Sequence, residues 1–419
     1  MIGTTVEWYD FFIFGIASAL VFGQLFFPNV SELAGTLAAF ATFAVGFIAR
    51  PVGGLVFGHF GDRIGRKTML VVTITMMGLA TFAMGLMPTF SVIGIWAPIL
   101  MVALRFVQGM AVGGEWGGAV LMAVEHSEKN RRGFFGSFPQ VGSAVGGLMA
   151  TGMFVLMQQL PEEDFVAWGW RVPFLISIVL VGVGLFIRLR IMESPVFTQV
   201  KETRSTVKVP VVELLRKDSR NVLLAAGMYL GHGVAFYALT VFTLAYTSSE
   251  YGVAENRYLV GVTIAGAVQI LTIPAMGLLS DRLGRRPVMI FGTLFIAAFA
   301  IPLNFMITSQ TTVLMWLAVV IIICIGHNAV YSPTAALYSE MFPAHVRYSG
   351  ASIGYQLGGA IAGFVPLIAT ALVAAAGGAY WPIPAMIATA ALIGFVCVLL
   401  VRPVAEDEAE PTEQTPPAG

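Results

Sequence analysis

Apolar runs of roughly 20 residues recur along the whole chain, each the length that crosses a hydrocarbon core of about 30 Å as a helix. The pattern predicts twelve spans, at roughly 2–27, 35–60, 68–87, 94–125, 133–158, 171–190, 220–246, 257–279, 287–307, 311–340, 348–376 and 381–401. The breaks fall where charge, or a cluster of Pro, Gly and Ser, interrupts an apolar run. The expected fold class is an all-α polytopic membrane protein.

The polar positions orient these spans. Nineteen of the 23 Lys and Arg residues fall in the connections after even-numbered spans and in the C-terminal tail. The opposite connections hold only Arg171 and Arg257, while Arg50 and Arg105 lie within spans. Positive charge collects on the cytoplasmic side, so both termini are expected there. The longest polar segment divides the spans six and six. The predicted organisation is an N-terminal six-helix bundle over 1–190, a cytoplasmic linker over 191–219, a C-terminal bundle over 220–401 and a disordered tail over 402–419. That tail, "EDEAEPTEQTPPAG", is acidic and Pro-rich and shows no heptad pattern.

Composition sharpens the class. The 419 residues are 57% hydrophobic and 11% charged, against about 25% charged in a typical soluble domain. Mean hydropathy is +0.84. A formal net charge of zero suggests no nucleic-acid partner. Cys324 and Cys397 lie in apolar runs without metal-ligand spacing and read as small buried hydrophobes. The first run carries Glu7 and Asp10 and lacks a basic leader, so it reads as a retained span. Only Met1 and Ile2 precede Gly3, which leaves the completeness of the N-terminus open.

Against this oily background one charged corner appears twice, as "GHFGDRIGRKTML" from Gly58 and "GLLSDRLGRRPVMI" from Gly277. A companion repeats as well: Glu125 stands seven residues before Arg132, and Glu340 seven before Arg347. Two motifs repeating with nearly the same period imply two homologous six-span halves, a known transporter construction with the substrate site between the halves.

The Gly-x-x-x-Asp-Arg-x-Gly-Arg-Lys/Arg motif, in two copies within a twelve-span frame, resembles the major facilitator superfamily. Within it, "GTTVEWYDFFIFG", "ARPVGGLVFGHFGDRIGRK", "LRFVQGMAVGGEWGGAVLMAVEH", "RRGFFGSFPQVG" and "WGWRVPF" are similar to the metabolite:proton symporters, shikimate transporters foremost. Proline/betaine and α-ketoglutarate carriers are more distant in resemblance. The resemblance covers nearly the whole chain and implies alternating access between two rocking bundles. Asp62, Arg63, Arg66, Glu125 and Arg132 in the first half, with Asp281, Arg282, Arg285, Glu340 and Arg347 in the second, then read as a cytoplasmic latch. Plain positive-inside topogenesis would explain the basic residues but not the acidic ones at fixed offsets.

Ionisable groups inside spans are costly and therefore functional candidates. They are Glu7, Asp10, Arg50, Arg105 and Glu115, with His232 and His327 able to join. At 1.5 Å per residue, Arg105 lies about 30 Å from Glu125 and Glu115 about 15 Å from it, near the midplane. A first-span carboxyl would hold its proton in an apolar setting and release it as an arginine approaches. The resemblance adds that sugar/proton symporters pair a first-span Asp with a fourth-span Arg at matching places. Asp10 is the expected proton carrier and Arg105 its counter-charge, with Glu7 and Glu115 as competing carboxylates; a static ion pair is the structural alternative. Arg50 precedes Pro51, and snorkelling or capping of backbone freed by the proline is favoured over a substrate role. The pairs Gly53–Gly54, Gly113–Gly114 and Gly117–Gly118 read as helix-packing positions.

Trp8, Tyr9, Trp116, Gln140, His232, Tyr237, His327, Asn328, Tyr331, Tyr355 and Gln356 are the side chains expected to line a central cavity, with Arg105 meeting a carboxylate. No Walker-type loop, nucleophile elbow or zinc motif is present, so neither an enzyme nor an ATP-driven pump is expected, and no cofactor or metal. The expectation is a monomeric importer in a bacterial plasma membrane, in contact with lipid, carrying a small organic acid with protons. A zwitterion carrier for proline or betaine and a non-transporting nutrient sensor are the alternatives.

Overall fold

The computed structural model describes residues 2–64, 66–113, 120, 123–124, 127–190, 218–342 and 347–401. Twelve long helices, some bent or interrupted, fall within them, joined in places by short helical turns. In the first half they are α1 (Ile2–Leu20), α2 (Glu32–Ile64), α3 (Arg66–Leu86), α4 (Trp96–Val112), α5 (Arg132–Met157) and α6 (Arg171–Arg190). In the second half they are α7 (Ser219–Tyr251), α8 (Glu255–Leu283), α9 (Arg285–Thr308), α10 (Thr312–Met341), α11 (Arg347–Ala362, resuming as Val365–Ala375) and α12 (Pro382–Leu400). No strand occurs among the described residues. The expected linker and tail lie outside the described residues apart from Asp218 and Ser219.

Helix is the only open structure that satisfies every backbone group internally in lipid. Eight of the described helices are long and apolar enough to cross a membrane, or nine if the bent pair before and within α6 counts as one span. Described parts of α3 and α4, Val71–Leu86 and Trp96–Val112, are apolar but shorter, and α1 carries two carboxyls. The outer surface is apolar too: Leu271, Ile301, Phe305 and Leu392 are exposed. In water such a surface would drive aggregation; against acyl chains it is matched.

Three helical stretches widen into π turns: Phe165–Gly169 before α6, Ala238–Phe242 in α7 and Ile322–His327 in α10. A π turn frees carbonyls that need donors. In α7 these come from the Thr243 hydroxyl, 2.8 Å from the Ala238 carbonyl, and the Tyr258 hydroxyl, 2.7 Å from that of Leu239.

The halves meet chiefly along α5 against α8 and α2 against α11. Within the first half α2 and α4 approach backbone to backbone. A methyl group at Gly109 would collide with the Gly46 carbonyl, and one at Gly53 with that of Met110. Gly46 also leaves room for Arg105: a Cβ there would stand 2.5 Å from its Nε.

Candidate substrate and coupling site

Asp10 and Arg105 are both buried, at 0% and 1% exposure, and α3 supplies what connects them. The Thr81 hydroxyl lies 3.0 Å from Asp10 Oδ2 and 2.9 Å from the Met77 carbonyl. Gln108, one turn beyond Arg105 on α4, donates its Nε2 to Thr81 Oγ1 at 2.8 Å and to the Asp10 carbonyl at 3.4 Å. The chain closes with Arg105 donating to Gln108 Oε1. The carboxyl and the guanidinium are therefore relayed through Thr81 and Gln108 instead of touching. Neither relay residue is ionisable, so a reading that sought charges in spans passes over both.

The Arg105 guanidinium stacks over rings, 4.2 Å from the Phe14 centroid, 4.9 Å from Phe11 and 5.2 Å from Phe43. Arg50 is buried as well, 4.6 Å above Phe47 and 4.9 Å from Phe11. This corrects the expectation of snorkelling: burial on the bundle side of α2 puts the Arg50 head among aromatic faces, where cation–π attraction offsets part of the lost hydration. Glu7, Arg50, Arg105 and Gln108 line one void of about 210 Å³.

A second void of about 240 Å³ lies between the halves, lined by Trp8 and Ser143 from the first and Tyr229, His232, Phe236, His327 and Tyr331 from the second. Neither offers room for more than about a water molecule, consistent with bundles drawn together around a closed site. His232 and His327 face each other with Nδ1 atoms 3.3 Å apart. Gln140 reaches across the interface to the Tyr331 carbonyl at 2.5 Å. Tyr331 donates to Ser143 Oγ at 3.1 Å, again between halves. Tyr237 sits against Phe11, Phe43 and Phe47, and Tyr355 against Tyr229. Gln356 donates to the Gly113 carbonyl at 3.4 Å.

Two expected lining residues turn elsewhere. Tyr9 donates to the Pro173 carbonyl at 2.8 Å, towards α6, because successive helical residues point about 100° apart and Trp8 takes the central face. Asn328 accepts from Gln269 at 2.9 Å and donates to Thr272 at 2.7 Å, both on α8. Glu115 and Trp116 lie outside the described residues. Tyr229, Phe236 and Ser143 were not anticipated; their positions on the same helix faces as His232 and Gln140 were the available signal.

At the charged corner, Asp281 from the second half accepts from the backbone N–H groups of Gly133 and Phe134, each at 2.8 Å, at the start of α5 in the first half. Arg285 holds the same carboxylate at 2.5 Å and lies 3.6 Å from Glu340. Arg132 also faces Glu340 electrostatically. Arg347 donates to the Phe342 carbonyl at 3.2 Å, and the ionic neighbours of Glu340 include Arg285 and Arg132. Arg282 is exposed. Glu125 and the side chains of Asp62, Arg63 and Arg66 lie outside the described residues.

The family model for the Major Facilitator Superfamily matches residues 1–363 and again 228–418. The shikimate transporter of Escherichia coli (strain K12) is 43% identical over 404 residues, covering 96% of this chain and 92% of that protein. The proline/betaine transporter of Salmonella typhimurium is 37% identical over 385 residues, covering 89% and 76%. A crystal structure of a D-xylose–proton symporter superposes with a TM-score of 0.73 at 18% identity, over 94% of this chain and 95% of that one.

Proposed function

Because the chain belongs to the major facilitator superfamily, and is thus a multi-pass membrane transporter and not an enzyme, we propose that it imports a small organic acid together with protons by alternating access. The substrate we favour is shikimate or a related hydroxylated carboxylate, and the site of action a bacterial plasma membrane with both termini in the cytoplasm. The 43% identity to a shikimate transporter supports the substrate class.

The observation that carries the reading is the charge balance around Arg105. Arg50 and Arg105 share one void with Glu7, and Asp10 stands one relay away. With both carboxyls ionised the group is neutral; with Asp10 protonated it carries one positive charge, which a substrate carboxylate cancels. Proton and anion then load together, since an uncompensated buried charge is costly. Thr81 suits both states. Its hydroxyl hydrogen turns to Asp10 when that group is a carboxylate, and to the Met77 carbonyl when Asp10 itself donates.

The test is uptake of labelled shikimate, other hydroxy acids, proline and glycine betaine into proteoliposomes, with and without a protonophore. Asp10→Asn should abolish proton-driven accumulation while leaving exchange of internal for external substrate intact. Full accumulation by that variant would eliminate Asp10 as the carrier.

A zwitterion carrier is the second reading. The aromatic wall of Trp8, Tyr229, Phe236 and Tyr331 suits a quaternary ammonium, and a proline/betaine transporter is among the relatives. Betaine uptake without acid uptake would decide for it.

A further inference from the structure

The contacts of the second half's histidine pair, which faces the void between the halves, favour one proton arrangement. His327 Nδ1 lies 3.3 Å from His232 Nδ1 and 3.5 Å from the His232 backbone carbonyl. A carbonyl can only accept, so the arrangement that satisfies both contacts puts the hydrogen on His327 Nδ1, shared between the two acceptors. His232 Nδ1 must then be the bare, accepting nitrogen. An imidazole with a bare Nδ1 carries its hydrogen on Nε2. The conclusion is the same whether His327 is neutral or cationic, because in either case it is the donor.

His232 Nε2 is buried and has no hydrogen-bond partner among the described residues, and His232 lines the void between the halves. Neither neighbouring hydroxyl partners this nitrogen: Tyr331 is engaged with Ser143, and Ser143 with the Gln140 carbonyl at 2.7 Å. Phe236 stacks on His327 with centroids 4.8 Å apart, and Tyr229 packs on His232 at 4.9 Å, so both rings are held in place. A buried N–H with no acceptor is costly, and an oxygen of a bound molecule would remove that cost.

We infer that His232 is a substrate-recognition residue that donates its Nε2–H to an oxygen of the transported molecule, a ring hydroxyl or a carboxylate, and that His327 is the positioning residue that sets this tautomer. The inference rests on the transport reading above and adds to it the donor and its direction. Among otherwise similar solutes, His232 favours those with an oxygen acceptor at this point and discriminates against deoxy analogues.

Amide side chains separate the two ring nitrogens: glutamine places an N–H near the position of Nε2, and asparagine near that of Nδ1. For labelled shikimate, His232→Gln should stay within about threefold of the native KM, while His232→Asn raises it about tenfold or more at little change in maximal rate. Position 327 should show the reverse preference, with Asn tolerated and Gln not. Equal treatment of Asn and Gln at both positions, or the opposite pattern, overturns the inference. A readout independent of transport is ¹⁵N NMR of the native protein in lipid, labelled at its five histidines and assigned by single replacements. His232 should show a protonated Nε2 and an unprotonated Nδ1, and a protonated Nδ1 there refutes the assignment even if shikimate proves not to be carried. Uptake of betaine alone by the native protein would instead count against the proposed substrate, leaving the NMR result to decide the histidine pair.

Discussion

Thr81 has one hydroxyl hydrogen and two acceptors within 3.0 Å, the Asp10 carboxyl and the Met77 carbonyl. Replacing it by valine keeps the volume but strips a partner from both Asp10 and Gln108. Leaving such groups unpaired costs about 1–3 kcal/mol, so Thr81→Val should lower proton-driven uptake about tenfold while substrate exchange persists. Equal loss of both activities would mean a packing defect instead. Trp8 and Tyr9 give a second contrast at this scale. Tyr9→Phe loses the bond to Pro173 and should lower the melting temperature with KM unchanged. A rise in KM without a loss of stability would return Tyr9 to the cavity.

The α2–α4 pair depends on helices touching through their backbones. In lipid there is little hydrophobic drive between helices, so close van der Waals packing carries association, and glycine permits it. A side chain at Gly109 would meet the Gly46 carbonyl, which no rotamer change can relieve. Gly109→Ala should therefore cut the yield of folded protein, measured as the monodisperse fraction after detergent extraction. Gly152→Ala, where a Cβ meets nothing within 4 Å, should not. Because α2 carries Arg50 and α4 carries Arg105, the same glycine contact also sets the distance between the two guanidiniums.

Across the whole molecule, Asp281 is the contact that ties rocking to charge. A carboxylate on α8 accepts two N–H groups at the start of α5, where the helix dipole favours negative charge. Parting the bundles on that side breaks both bonds. Asp281→Ala should shift the population towards the state open there. With Cys324 and Cys397 replaced, a cysteine introduced at the buried Ser137 should then react faster with a membrane-impermeant maleimide from the side bearing the charged corners. Unchanged reactivity would leave Asp281 as a cap without a gating role.

Span number, the approximate extent of most described helices, the duplicated corner and the ionisable candidates were all legible in the amino-acid sequence. These depend on local hydropathy and spacing, and the cost of burying charge or bare backbone in lipid leaves few alternatives. What the tertiary structure alone decided is which way each helix is turned. On spans that are apolar on nearly every side, the lipid face and the bundle face read alike, so rotation about the axis is unmarked. That rotation sends Trp8 to the centre and Tyr9 to α6, turns Asn328 to α8 while His327 meets His232, buries Arg50 among rings, and inserts the uncharged Thr81 and Gln108 between Asp10 and Arg105. Contacts between distant helices made those choices, through packing and hydrogen bonds that no local pattern encodes.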